Sequence, residues 1–162
     1  TDDVINAPVS GKLESLKIVN DQVFSSEMMG KGAAILPTSE SIMAPVTGKI
    51  TVAYPTMHAY GIQADNGAEV LVHLGIDTVK LNGQYFTTEV EQGQRIQQGE
   101  KLGTMDLNAI SKAGYDPTVM IVVTNTNLYG AVERIDVKNV DVGAPIIALT
   151  QQTVKAPIAA NI

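Results

Sequence analysis

The stretch Thr56-Met57-His58-Ala59-Tyr60-Gly61-Ile62-Gln63-Ala64-Asp65-Asn66-Gly67-Ala68-Glu69-Val70-Leu71-Val72-His73-Leu74 decides the reading of this chain. It holds both histidines of the sequence. Asn-Gly between two alternating apolar runs is a strong hairpin signal, because a type I′ turn needs φ > 0 at both central residues. With Asn66 and Gly67 at those positions, Asp65 pairs with Ala68, His73 faces Tyr60 and His58 faces Gly75. The two imidazoles then share one face as diagonal neighbours, with Tyr60, Ile62 and Leu71 as an apolar collar. A slip of one residue would send them to opposite faces.

Outward from the hairpin the pattern stays β. Lys49–Ala53, Gly61–Ala64, Glu69–Leu74 and Val119–Thr124 are rich in Val, Ile and Thr, with Gly and Pro between. The expected fold is all-β, an antiparallel sandwich or barrel. One short helix is expected over Leu107–Ala113, capped by Asp106 and stopped by Gly114. Ala7-Pro-Val-Ser-Gly-Lys-Leu13 recurs as Ala44-Pro-Val-Thr-Gly-Lys-Ile50. Val90-x-x-Gly93-x-x-Ile96-x-x-Gly99-x-x-Leu102 repeats a strand-turn-strand cadence. Both echoes point to internal duplication. The expected domain is 7–150, with 1–6 an extension or linker and 151–162 a tail.

The chain has 162 residues, enough for one domain with a substantial core. The net charge of −6 and the lack of a Lys/Arg cluster argue against nucleic acid as a partner. No apolar run is long enough to span a bilayer, so no direct membrane insertion is expected. Without cysteine there is no disulfide and no thiolate metal site.

Two imidazoles in an apolar collar fit three chemistries. Zinc binding would need a third protein ligand, with Asp77 nearest in sequence. General acid–base catalysis has no substrate named by the sequence. Nucleophilic attack on phosphorus suits a neutral imidazole near pH 7, with the second ring stabilising the phosphoryl oxygens. Thr56, two residues before His58, could set the tautomer of that ring. No nucleotide-binding Gly-rich loop is present, so the phosphoryl group would come from elsewhere.

His73-Leu-Gly-Ile-Asp-Thr-Val-Lys-Leu-Asn-Gly83 closely resembles the active-site signature of the glucose-type enzyme IIA domain of the bacterial phosphoenolpyruvate-dependent sugar phosphotransferase system. The resemblance runs from Ala7 to about Leu149. It takes in Asn20-Asp-Gln-Val-Phe24, Met29-Gly-Lys-Gly-Ala-Ala-Ile35, Pro55-Thr-Met-His-Ala59 and Glu91-Gln-Gly-Gln-Arg95. Lys80-Leu-Asn-Gly83 and Lys112-Ala-Gly-Tyr-Asp116 look most like the IIA domains of β-glucoside, sucrose or trehalose-type transporters.

The resemblance implies a cytoplasmic phosphocarrier, free or tethered to a transporter, that needs no cofactor. It would accept a phosphoryl group from phospho-HPr and pass it to a IIB domain of a sugar permease. His73 matches the phosphorylated residue, His58 the second histidine and Thr56 its hydrogen-bonded threonine. Asp21 and Asp77 match acidic residues flanking the site. Val23, Met29 and Leu71 fall where the family has an apolar docking rim. Asp77 also has a plain structural reading, as a cap in the Gly-Ile-Asp-Thr turn. No metal is expected in the isolated chain. The alternative is a zinc endopeptidase of the lysostaphin type, which shares the cadence. That class needs His-x-His, and Leu71 stands two before His73.

Overall fold

A computed structural model describes residues 3–152. The first half of the chain forms β1 (Asp3–Asn6), β2 (Gly11–Glu14), α1 (Gln22–Ser25), β3 (Lys31–Pro37), β4 (Ser41–Met43), β5 (Gly48–Ala53), β6 (Ala59–Ala64) and β7 (Glu69–Leu74). There follow β8 (Phe86–Thr88), β9 (Arg95–Ile96), β10 (Lys101–Met105), α2 (Leu107–Lys112), β11 (Val119–Val123), β12 (Tyr129–Arg134), β13 (Asn139–Val140) and β14 (Pro145–Gln151). All pairings among them are antiparallel. An eight-stranded sheet runs β13-β2-β3-β11-β7-β6-β5-β9, and two three-stranded sheets run β1-β14-β12 and β4-β10-β8. The expected all-β architecture is the one observed.

The strand order reads the same from both ends. β2, β3 and β11 occupy one half of the large sheet as β5, β6 and β7 occupy the other, and each small sheet serves one half. The Ala-Pro-Val-x-Gly echo marks this duplication, with Gly11 opening β2 and Gly48 opening β5, whereas the cadence over 90–102 lies within one half. The backbone bonds repeat as well. The Ala7 amide donates to the Ala144 carbonyl as Ala44 donates to Glu100, and Gly143 donates to Ala7 as Gly99 donates to Ala44. One half is the continuous run β4–β10, and the other is assembled from the two ends of the chain.

Alternation divides the apolar residues of the central strands between two cores. Ile35, Tyr60, Ile62, Val72, Leu74 and Ile121 meet Ile5, Ile42, Phe86, Leu102 and Ile147 of the small sheets. On the other face of the large sheet, Ala34, Ala59, Leu71, Met120 and Val122 lie under Leu16, Val19 and Phe24. β11 is covered on both faces, and all five of its residues are buried, so it reads as an unbroken apolar run rather than an alternating one.

The short helix forms as its sequence indicates. Asp106 Oδ1 accepts from the Ala109 amide at 3.0 Å, Ile110 is fully buried, and Gly114 follows at φ +92. The N-terminal boundary differs from the expected one. Asp3–Asn6, read as an extension, is strand β1, paired with β14, and Ile5 is in the core. Residues 153–162 of the expected tail lie outside the described residues.

The hairpin itself corrects the expected register. Its loop has three residues, Asp65-Asn66-Gly67, not two. The Ala64 amide donates to Ala68 O at 2.8 Å, the Gly67 amide donates to Ala64 O at 2.9 Å, and Gly67 sits at φ +100. Asn66 Oδ1 further accepts from the Ala68 amide at 3.0 Å, which ties the loop shut locally. Such a loop places its last residue in the left-handed region and lets Gly occupy it. His73 therefore pairs with Ala59, and Tyr60 with Val72. Tyr60 and Ile62 turn into the main core and are not part of the histidine collar.

Candidate functional site

His73 is the penultimate residue of β7, on the face it shares with Leu71. Its Nδ1–H donates to the Gly75 carbonyl at 2.8 Å. A carbonyl can only accept, so the proton is on Nδ1 and the lone pair is on Nε2. Phe24 packs against the ring, with centroids 5.0 Å apart. Phe24 is held there by α1, which is capped by Asp21, whose Oδ1 accepts from the Val23 amide at 2.9 Å.

His58 reaches the same place by an irregular path. It precedes β6 in a bend and follows Met57, which takes φ +58. Strict pleating from the slipped register would have aimed it at the main core. Outside the strand that alternation lapses, and its ring stands 5.0 Å from that of His73, nearly perpendicular at 82°. Thr56 Oγ1 and His58 Nδ1 are 2.6 Å apart, and Tyr54 covers the ring at 5.3 Å. The sequence thus brings the imidazoles together through a turn, not through strand parity.

Both rings are held neutral at pH 7. Burial, and then the neighbouring His73, pulls His58 down to about 4. Burial also lowers His73, against the opposing pull of the Gly75 carbonyl and of the Asp21 and Asp77 charges. The unfolded chain takes up these protons near the ordinary histidine value of about 6.5. Below that pH the unfolded state binds more protons than the folded one, so stability falls as pH drops from about 6.5 toward 4. Urea unfolding at stepped pH should show this loss, and ring ¹⁵N shifts should keep His58 neutral at pH 5. A His58 midpoint near 6.5 in the folded protein would contradict the assignment.

The rings open into a depression of about 260 Å³ lined by Asp21, Val23, Phe24, Met29, Tyr54 and Asp77, among others. No Lys or Arg lines it among the described residues. Val23 and Met29 are exposed at its edge. Leu71 is only 8% exposed and forms part of the floor, not the rim. Asp77 takes φ +60 at the start of the 3₁₀ turn Thr78–Leu81, and its side chain makes no capping bond. The cap reading therefore fits Asp21 and not Asp77. Phe24, Tyr54, Val79 and the Gly75 carbonyl are additions to the expected residues. Phe24 lies within the Asn20–Phe24 motif, while Tyr54 has only its place before the Pro55 turn as a signal. No group of three or more His, Asp or Glu among the described residues is placed to hold a metal, and Asp77 makes no third ligand with the two imidazoles.

The chain matches a protein family at residues 3–129: the phosphoenolpyruvate-dependent sugar phosphotransferase system, EIIA 1. It is 55% identical over 161 residues to the PTS system sucrose-specific EIIBCA component of Pediococcus pentosaceus, covering 99% of this chain and 24% of that protein. It is 44% identical over 127 residues to the β-glucoside-specific EIIBCA component of Bacillus subtilis strain 168, covering 78% of this chain and 21% of that protein. The chain thus spans about a quarter of the length of such relatives. Among solved structures, it is similar to glucose permease IIA from Mycoplasma capricolum, at a TM-score of 0.85 and 37% identity, with 91% of this chain and 96% of that one covered. Among the described residues no helix is long and apolar enough to cross a membrane. The endopeptidase alternative finds no support in these matches. By sequence over most of its length and by fold, the chain belongs to the EIIA 1 family, a phosphotransferase component of the phosphoenolpyruvate-dependent sugar phosphotransferase system.

Proposed function

We propose that this chain accepts a phosphoryl group from phospho-HPr on Nε2 of His73 and passes it to a IIB domain that phosphorylates an incoming sugar. The observation that carries the reading is the Nδ1–H bond from His73 to Gly75, which leaves Nε2 as the free nucleophile. The new N–P bond forms on Nε2 as the donor's N–P bond breaks. Nδ1 keeps its proton, and the Gly75 carbonyl stabilises the positive charge that the ring gains on phosphorylation.

His58 acts beside it. With the Thr56 hydroxyl donating to Nδ1, the proton of neutral His58 sits on Nε2 and can donate to a phosphoryl oxygen. A neutral donor does not trap the dianion as a fixed cation would, which suits a group that has to leave again. Asp21 and Asp77 give the rim negative charge that meets basic side chains on a donor or acceptor. Val23, Met29, Tyr54 and Val79 supply exposed apolar contact around them.

The test is an intact-mass assay with phosphoenolpyruvate, enzyme I and HPr, quenched at alkaline pH. One phosphoryl group should appear on the chain, depend on HPr, and disappear when a IIB domain and its sugar are added. No labelling with active enzyme I and HPr would reject the reading.

A further inference from the structure

The Gly75 carbonyl that orients His73 is itself held by a strap on another part of the chain. Asp116, Pro117 and Thr118 lead into β11, beside the loop that follows β7. The Gly75 amide donates to the Thr118 carbonyl at 2.9 Å, and the Ile76 amide donates to the Asp116 carbonyl at 2.9 Å. The second bond matters most. The Ile76 N–H and the Gly75 C=O belong to one peptide unit. One end of that unit is anchored on Asp116, while the other accepts the His73 proton.

The strap is closed by its own side chains. Asp116 Oδ1 accepts from both the Thr118 amide, at 2.9 Å, and the Thr118 hydroxyl, at 2.6 Å. Thr118 is buried. Pro117 has no amide to satisfy and a fixed φ, so the carboxylate and the ring together set where the two carbonyls point. The fit around Gly75 is tight as well. At φ +87, a Cβ there would lie 2.5 Å from Thr78 Cγ2 and 3.0 Å from the Asp116 carbonyl oxygen. The Thr78 hydroxyl closes the other side by donating to Leu74 O at 2.6 Å.

The geometry points to Asp116 as a positioning residue for His73, acting through Thr118 and the Gly75–Ile76 peptide to hold the acceptor that keeps the imidazole proton on Nδ1. Hydrogen bonds in series polarise one another, so an anchored Ile76 amide makes Gly75 O a better acceptor. Asp116 touches neither the ring nor the depression. Its role rests on the reading of His73 as the phosphoryl acceptor, but its effect on the tautomer can be seen without any transfer.

The experiment compares wild type with Asp116→Ala, Asp116→Asn and Thr118→Val. Ring ¹⁵N spectra report the His73 tautomer, and phospho-HPr titrations separate kcat from KM. Asp116→Ala should show a mixed His73 tautomer and a kcat about tenfold lower, the size of one hydrogen bond, at an unchanged KM. Asp116→Asn keeps an Oδ1 acceptor and should restore both readouts. Thr118→Val removes one of the two donors and should move both readouts the same way by a smaller factor. If Asp116→Ala does not fold, Thr118→Val decides between the outcomes. A folded Asp116→Ala with wild-type tautomer and kcat would overturn the assignment, as would failure of Asp116→Asn to rescue, or an unchanged Thr118→Val. A shifted tautomer with no labelling of wild type would instead reject the phosphocarrier reading and leave the strap standing.

Discussion

His73→Gln should carry no phosphoryl group after incubation with phosphoenolpyruvate, enzyme I and HPr, under conditions that label every wild-type molecule. Glutamine fills similar space but offers no nucleophilic ring nitrogen. Asp21 and Asp77 stand near the site, yet neither replaces a neutral nucleophile with its lone pair fixed by a backbone carbonyl. His58→Gln should behave differently. Its nucleophile is intact, so the chain should still be labelled, while onward transfer to IIB slows by about a hundredfold or more, the usual scale for losing one aimed donor to a developing charge. Label on His73→Gln, read by peptide mapping under alkaline conditions, would move the chemistry to another residue. Equal onward rates for His58→Gln and wild type would remove His58 from the transfer step.

Tyr60→Ala should be among the most destabilising single substitutions, and it should leave the chemistry alone. Tyr60 is 1% exposed in the main core, and its hydroxyl donates to Thr88 Oγ1 at 2.9 Å. Truncating a buried aromatic costs about 3–5 kcal/mol, through lost burial and the cavity left behind. The empty space would open between the sheets, on the side away from the imidazoles, where β6 carries Ala59 toward the site and Tyr60 away from it. Urea unfolding should show the loss, and the folded fraction should take up phosphoryl at the wild-type rate. Impaired labelling at unchanged stability would put Tyr60 back in the histidine collar.

Tyr60 also shows where the sequence can be read and where it cannot. Apolar alternation in 59–64 and 69–74 is enough to place two strands, and Asn66-Gly67 is enough to join them. It does not reveal whether the loop holds two residues or three, because Asn-Gly serves both kinds of turn. That single residue exchanges the faces of one strand against the other, so strand parity wrongly assigns Tyr60 and Ile62 to the collar while Leu71, on the same strand as His73, stays in it. The imidazoles come together even so, because His58 lies in a bend beyond the strand, where Met57 at φ +58 breaks the pleat. A left-handed methionine has no signature in sequence. The Asp106 cap, Gly114 and the repeated Pro-Val-x-Gly segments are legible because each acts within a few residues of itself. Phe24 against His73, and Asp116 beneath Gly75, depend on approaches between distant parts of the chain and become visible only in three dimensions.

The mirrored strand order limits how many such sites this scaffold can hold. Gly11 pairs with Pro37 as Gly48 pairs with Ala64, and following the register inward sets Gly32 against Ala59 as counterparts. Their partners are Val122 and His73. The residues before them, Lys31 and His58, correspond in turn. Val122 and His73 lie on neighbouring strands of the same face, and His73 pairs with Met120, two residues from Val122. Diagonal neighbours of this kind are only about 7–8 Å apart, whereas a docked protein domain covers roughly 800 Å² of surface. Two working copies would compete for one landing area. The duplication supplies a symmetric frame, but its axis passes so close to His73 that one half can present a site only while the other serves as its wall.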